Sequence, residues 1–222
     1  MPTRKKRVSA PDRRKQILAV AQKLFAYQGF RATTTREIAE KAGMNEAILF
    51  RHFRTKEDLY WSVLDELSRN LNSRKELQTV IIGREMKSGA TAEDDEAFFA
   101  NIAQGMLDRS RREPNLGRLL YFSALERHSL SGRFFRTYVV VYWELLAKYI
   151  RRRMRSGDFR NFNPLLAARS FIGMVGHYIL MQGLFEARKY QDFDDRLVCR
   201  TLARIWLGGM LAKSRAPRRK TK

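Results

Sequence analysis

Cysteine is almost missing from this chain: Cys199 stands alone among 222 residues. A single thiol excludes an intramolecular disulfide and a thiolate metal cluster within one chain, and it fits a reducing compartment. Histidine is nearly as scarce. His128 and His177 have no cysteine, histidine or carboxylate at metal-binding spacing, so no metal site is expected and both read as structural histidines. Acid is short relative to base, with 23 Asp and Glu against 44 Lys and Arg, a formal net charge of +21. Such an excess repels itself in a compact fold and favours a polyanionic partner, either nucleic acid or an anionic membrane surface. Long apolar runs are also missing. The most apolar stretch, residues 170–185, is shorter than the ~20 residues that span a bilayer, and it contains His177 and Gln182. The charged N-terminus leads into an amphipathic helix rather than an apolar signal core. These absences point to a cytoplasmic protein with no membrane partner. A phosphate-cradling glycine loop, a zinc spacing and a recognisable nucleophile–base set are lacking too. An enzyme is therefore the least supported class, and no cofactor is expected.

What is present reads as helix throughout. No alternating strand pattern bounded by turns occurs, so the fold class is all-α. Residues 1–11 form a basic arm carrying Arg4, Lys5, Lys6 and Arg7, and prolines at 2 and 11 argue against helix there. From Asp12 to about Gln28, Ile17, Val20, Ala21, Leu24 and Phe25 make one apolar stripe, which Gly29 ends. Thr34 and Glu37 have capping-box spacing, so a second helix starts at Thr34 or Thr35. Gly43 supplies a left-handed turn, and Asn45 can cap a third short helix. A longer fourth helix carries Leu59, Val63, Leu67 and Leu71. Beyond the loop at 87–95, helices are expected near 93–111, 115–128, 131–156, 163–188 and 193–213, with breaks at Pro114, Gly132, 156–158 and 190–195. The last ten residues are basic and read as a tail.

The third helix poses a question. In GMNEAILFRHF, residues 43–53, Leu49 and Phe53 share one face, while Ala47, Ile48 and Arg51 point the other way with Phe50 on the flank. An apolar residue and an arginine on the outer face suit a surface that reads something. Helix, tight turn, helix is the layout of a DNA reader whose second helix enters the major groove. Arg51 can donate two hydrogen bonds to guanine O6 and N7, and Ala47 and Ile48 can pack on thymine methyls. Glu46 can accept from cytosine N4, or it can simply favour its own helix N-terminus.

Residues 12–60 resemble the DNA-binding domain of the TetR family of transcriptional regulators. The resemblance rests on Ile17 and Ala21 with Leu24-Phe25, Gly29-Phe30, the threonines at 33–35, Ile38-Ala39, Ala42-Gly43, His52-Phe53 and Lys56-Glu57. It implies a three-helix helix-turn-helix domain over 12–72, followed by a helical effector-binding and dimerisation domain over 73–212. It also implies phosphate contacts at Thr34 and Lys56, and a DNA surface that includes Thr35, Arg36, Asn45, Glu46, Ala47, Ile48, Phe50, Arg51 and His52. Phe50 departs from the family's usual tyrosine, and a phenyl ring cannot donate the phosphate hydrogen bond a hydroxyl would. The arm can track the minor groove, add phosphate contacts or serve only as a solubilising tail.

The expected partners are double-stranded DNA, a second copy of the chain and a small-molecule effector. For a two-fold interface the candidates are Phe171, Val175 and Ile179 on one late helix, and Val198, Leu202, Ile205 and Gly209 on the next. For an effector pocket they are Met106, Tyr121, Phe122, Tyr142, Trp143, Met174 and His177, although plain core packing explains any one of them. The run at 151–155 can neutralise its helix's C-terminal dipole or bind acidic lipid or nucleic acid. The leading expectation is a repressor released from a palindromic operator by an effector. The alternative is a non-specific nucleoid protein without one.

Overall fold

A computed structural model describes residues 10–69 and 91–212. Most of the basic arm, Leu71, the start of the 87–95 loop and the basic tail lie outside the described residues. Among those described, ten α-helices follow one another: α1 (Ala10–Ala32), α2 (Thr35–Lys41), α3 (Glu46–His52), α4 (Lys56–Arg69), α5 (Ala92–Arg112), α6 (Pro114–Leu125), α7 (Ser129–Phe134), α8 (Val140–Arg155), α9 (Pro164–Leu184) and α10 (Asp195–Met210). The fold class is all-α.

The chain divides into two compact units, one built from residues up to 71 and 112–138, the other from 72–111 and 139 onward. In the first, the stripe Ile17, Leu18, Ala21, Leu24 and Phe25 is buried, as its spacing requires. α1 packs on α2 and α4, and α2 on α3; Ile38 and Ala39 of α2, Leu49 of α3, and Leu59, Tyr60, Val63 and Leu64 of α4 are all buried. Burying that many aliphatic side chains, at about 1.5–3 kcal/mol each, is what holds short helices that would not stand alone. α6 packs on α1 and α4. Residues 112–138, which the sequence placed in the second domain, therefore belong to the first unit. Tyr60 joins them: its buried hydroxyl donates to the Leu119 carbonyl at 2.9 Å, and burial pushes its pKa well above the usual phenol value.

The second unit is a helical core of Phe98, Phe99, Leu146, Tyr149, Phe171, Val175, Trp206 and Leu207. Phe99 is its hub, with ring centres 4.4 Å from Trp206 and 4.9 Å from Phe171. One ionic group is sealed inside. Arg153 donates to the fully buried Asp95 through Nε and Nη2, at 3.1 and 2.7 Å, and through Nη1 to Asp158 at 2.7 Å. The arginine run at 151–155 thus turns one member inward, a use its composition did not suggest.

Several helix boundaries differ from expectation: α1 starts at Ala10 and continues past the kink at Gly29 to Ala32, and α9 ends at Leu184. The helix expected over 131–156 is interrupted by a π-helical turn at Phe135–Val139, and Gly132 sits inside α7 rather than at a break. The apolar run at 170–185 is part of a 21-residue helix, long and apolar enough by length and composition to cross a membrane. That corrects its reading as too short. One face of this helix, with Ala167, Ala168, Phe171 and Val175, is buried in the core of the second unit.

Candidate nucleic-acid interface

The helix-turn-helix is set by three local devices. Thr34 caps α2 by accepting the Glu37 N–H at 3.1 Å. Gly43 takes φ +66°, a conformation that costs glycine nothing and would strain any other residue. Asn45 caps α3 by accepting the Ile48 N–H at 2.9 Å. Two ties then hold the turn. Gln16 of α1 donates to the Ala42 carbonyl at 2.9 Å, and the Thr35 hydroxyl donates to the Glu46 carboxylate across the two helix starts. Glu46, for which two roles were open, is thereby held at the first turn of α3.

The two faces of α3 are as different as the sequence requires. Leu49 and Phe53 are buried; Ala47 and Arg51 are exposed, Ile48 is half-buried, and Phe50 keeps 43% of its surface exposed. Arg14 lies over the Phe53 ring at 4.7 Å and donates to Ser62, so the anchoring side is clamped from α1 as well. Thr34, Arg36 and Asn45 are exposed, while Thr35 and His52 are half-buried. Arg36 pairs with Glu40 one turn on at 3.0 Å, with both side chains largely in water. Such a pair is worth little and yields readily to a phosphate.

Lys56 is more constrained than its sequence position suggests. Its ammonium lies 4.3 Å above the centre of the Phe30 ring. Burial lowers its pKa, against the opposing charges of Glu57 and Glu126. The start of α4 gains its cap from Thr55, which accepts the Asp58 N–H at 3.0 Å. Thr55 went unnoticed in the sequence, though its spacing to Asp58 is the signal that exposed Thr34.

Beneath Lys56 sits a cluster the sequence did not reveal. The His128 ring packs on Phe30 at 4.1 Å and on Tyr60 at 5.6 Å, and its Nδ1 accepts the Leu130 N–H at 3.2 Å. It is a satisfied structural histidine. Glu126 accepts the backbone N–H groups of Phe30 and Arg31, both at 3.1 Å, just past the bend in α1 at Gly29, whose φ is +81°. These contacts fasten the far end of α1 to α6.

The seven side chains named for a pocket fall in both units. Tyr121, 42% exposed, and Phe122 belong to the first unit. In the second unit Met106 and Met174 pack against the core. Tyr142 and Trp143 lie under the guanidinium groups of Arg109 and Arg169. His177 is exposed on α9, so it is neither a core histidine nor a lining residue of an internal cavity. The interface candidates divide as well. Phe171 and Val175 are wholly buried and Val198 nearly so, all spent on their own core. Ile179 and Leu202 are partly buried, whereas Gly209 is exposed and Ile205 keeps 62% of its surface free.

Known proteins carry the same layout. The model of bacterial regulatory proteins of the tetR family matches residues 17–63, and that of the C-terminal domain of AefR-like transcriptional repressors matches residues 97–205. The HTH-type transcriptional regulator YvkB of Bacillus subtilis is 48% identical over 59 residues, 27% of this chain and 31% of YvkB, so the match spans under a third of that relative. The nucleoid occlusion factor SlmA of Escherichia coli is 28% identical over 198 residues, covering 86% of this chain and 94% of SlmA. Among solved structures, FadR of Bacillus subtilis in complex with stearoyl-CoA superposes with a TM-score of 0.64 at 15% identity, over 88% of this chain and 98% of its own. The fatty acid degradation regulator FadR of Bacillus halodurans gives 0.64 at 16% identity, over 92% and 98%. At these identities the structures attest the fold.

Proposed function

The chain belongs to the TetR family of transcriptional regulators, and we propose that it acts as a cytoplasmic, homodimeric repressor which leaves a palindromic operator when a small-molecule effector binds. The observation that carries this reading is the outer face of α3. Ala47 and Arg51 stand free, with Ile48 half-buried beside them, on a helix locked from behind by Leu49 and Phe53. Rigid support of that kind is what major-groove reading needs. In this reading Arg51 pairs with a guanine, Ala47 and Ile48 meet thymine methyls, and Asn45, Phe50 and His52 border the groove. Thr34, Thr35, Arg36 and Lys56 hold phosphates, helped by the free N–H groups at the starts of α2 and α4. The net charge of +21 supports the long-range attraction.

A two-fold pair of heads would read half-sites about 34 Å apart. The surface left free by α9 and α10 supports pairing. Leu166, Leu197 and Ile205 are 61%, 57% and 62% exposed, beside exposed Gly173, Gly208 and Gly209, which permit close helix approach. An effector that prefers the conformer with misplaced heads would release DNA. Tenfold loosening needs only ~1.4 kcal/mol of differential affinity. The match of residues 97–205 to a repressor C-terminal domain supports repression. That a FadR of the same fold was solved with stearoyl-CoA supports a ligand role for these helices without naming the ligand here.

The similarity to SlmA over 86% of this chain favours one other reading, a nucleoid-associated DNA-binding factor with no effector. Selection of bound fragments from random duplex DNA separates the two. A palindromic consensus supports the repressor. A steep salt dependence with little discrimination between sequences supports the nucleoid factor and overturns the repressor.

A further inference from the structure

An acid opens the helix proposed to enter the groove. Glu46 is the first residue of α3, next to the exposed Ala47 and one turn before Phe50, and it is half-buried. A carboxylate at that place is repelled by backbone phosphates. The helix does not need it as a cap, because Asn45 already accepts the Ile48 N–H at 2.9 Å. Its charge does favour the helix start, which accounts for an acid there but not for how this one is held.

The Thr35 hydroxyl, at the start of α2, donates to Glu46 Oε1. A threonine has one hydroxyl proton, so this side chain is committed to the carboxylate, and its backbone N–H is left for the phosphate contact. Thr35 is half-buried and β-branched, so its hydroxyl has few directions open to it. A glutamate that would otherwise sample several rotamers is thereby presented in one. Glu46 makes no other hydrogen bond or ion pair among the described residues, which leaves Oε2 to accept.

The chemistry of the groove decides what it accepts from. The donors there are the N4 amine of cytosine and the N6 amine of adenine. Adenine sets its N7 acceptor beside the amine, and a carboxylate would face that acceptor. Cytosine sets only a C–H there.

We infer that Glu46 reads a cytosine through its N4 amine, and that Thr35 is the positioning residue that aims the carboxylate. The inference rests on the reading of α3 as the groove helix, and it adds a second base to the one assigned to Arg51.

Fluorescence anisotropy of the full chain with the duplex that random selection yields tests it. Wild type, Glu46→Ala, Thr35→Val and Thr35→Ser are compared on that duplex, on a scrambled one, and on copies in which each cytosine in turn is replaced by 2-pyrimidinone, which lacks the amine. Asn45 and Leu49 are untouched in all three variants, so α3 keeps its cap and its anchor. Removing the amine of one cytosine per half-site weakens the wild type about tenfold. Thr35→Ser keeps the hydroxyl and repeats that loss. Glu46→Ala and Thr35→Val respond less than about twofold at the same base. Glu46→Ala also binds the scrambled duplex at least as tightly as the wild type, because an anion has left the neighbourhood of the phosphates. A tie that only fastens α3 to α2 gives the opposite pattern. Both variants then weaken matched and scrambled duplexes alike, every cytosine amine counts as before, and the inference is overturned. A palindromic consensus in which no cytosine amine depends on Glu46 overturns this pair alone. A wild type that prefers no sequence overturns the repressor reading and this inference with it.

Discussion

Glu126 holds Phe30 by the backbone: its carboxylate accepts the Phe30 N–H at 3.1 Å, and that of Arg31 at the same distance. The bond sits where α1 bends at Gly29, so a residue 96 positions away sets the end of the helix that supports the DNA-reading pair. A Cβ on Gly29 would lie 2.6 Å from Glu126 Oε1, and φ there is +81°. Glu126→Ala removes the acceptor from a part-buried N–H and is expected to cost about 1–3 kcal/mol in urea unfolding. Gly29→Ala strains the backbone and crowds the same carboxylate. Because the two changes share one contact, their combined cost should fall short of the sum. Strict additivity would mean that the Glu126 contact does not feel the bend.

The exposed face of α3 and the start of α4 make different predictions about DNA. Arg51→Ala should cost about 1–3 kcal/mol and relax preference at one base pair, whereas Lys56→Ala should weaken all duplexes alike and flatten the salt slope. Phe50 keeps 43% of its surface free. Phe50→Tyr adds a hydroxyl able to donate to phosphate, worth about 0.5–1.5 kcal/mol of affinity irrespective of sequence. Binding of matched and scrambled duplexes across a salt series reads all three. Identical losses for Arg51→Ala and Lys56→Ala on both duplexes would overturn the division between base and phosphate contacts.

Why these features were legible and others were not has a physical basis. The caps at Thr34 and Asn45 are local: a side-chain oxygen and an N–H three residues on are chain neighbours, so spacing reveals them. The two faces of α3 follow from helical period alone. Glu126 and His128 act on Phe30 across nearly 100 residues, and no local pattern marks that. α9 is apolar on most sides, so its periodicity does not say which face meets its own core. Phe171 and Val175 therefore looked suitable for a partner, although both are buried. The π-helical turn at Phe135–Val139 carries no proline or glycine to mark it in the sequence.

His128 makes the first unit sensitive to acid. Burial pushes its pKa below the ordinary histidine value, with Lys56 and Arg31 acting the same way and Glu57 and Glu126 opposing them. Its folded pKa is therefore below its unfolded one. The stability it contributes is complete above the unfolded value, about 6.5, and is lost as pH falls through the lower folded value. His128→Asn keeps an acceptor for the Leu130 N–H but cannot take a proton. Unfolding midpoints from pH 7.5 to 5 should fall more steeply for the wild type than for His128→Asn. Parallel curves would assign the slope to carboxylates instead.

The division between core and free surface on α9 and α10 separates folding from pairing. Phe171 is fully buried against Phe99 and Trp206, so Phe171→Ala should lose about 3–5 kcal/mol of stability through the cavity it leaves. Its neighbours on the outer surface would be untouched, and any dimer should persist at temperatures where the variant is folded. Ile205 presents 62% of its surface outward. Ile205→Glu should leave unfolding within about 0.5 kcal/mol, as surface changes do, yet yield monomers by light scattering, because two-fold symmetry sets its carboxylate in an apolar contact close to its own image. Monomers would also bind a palindrome more weakly than a half-site count predicts, since the second head is no longer tethered. If Ile205→Glu remained dimeric, the free face of α9 and α10 would not be where two copies meet, and the pairing of heads would have to come from another surface.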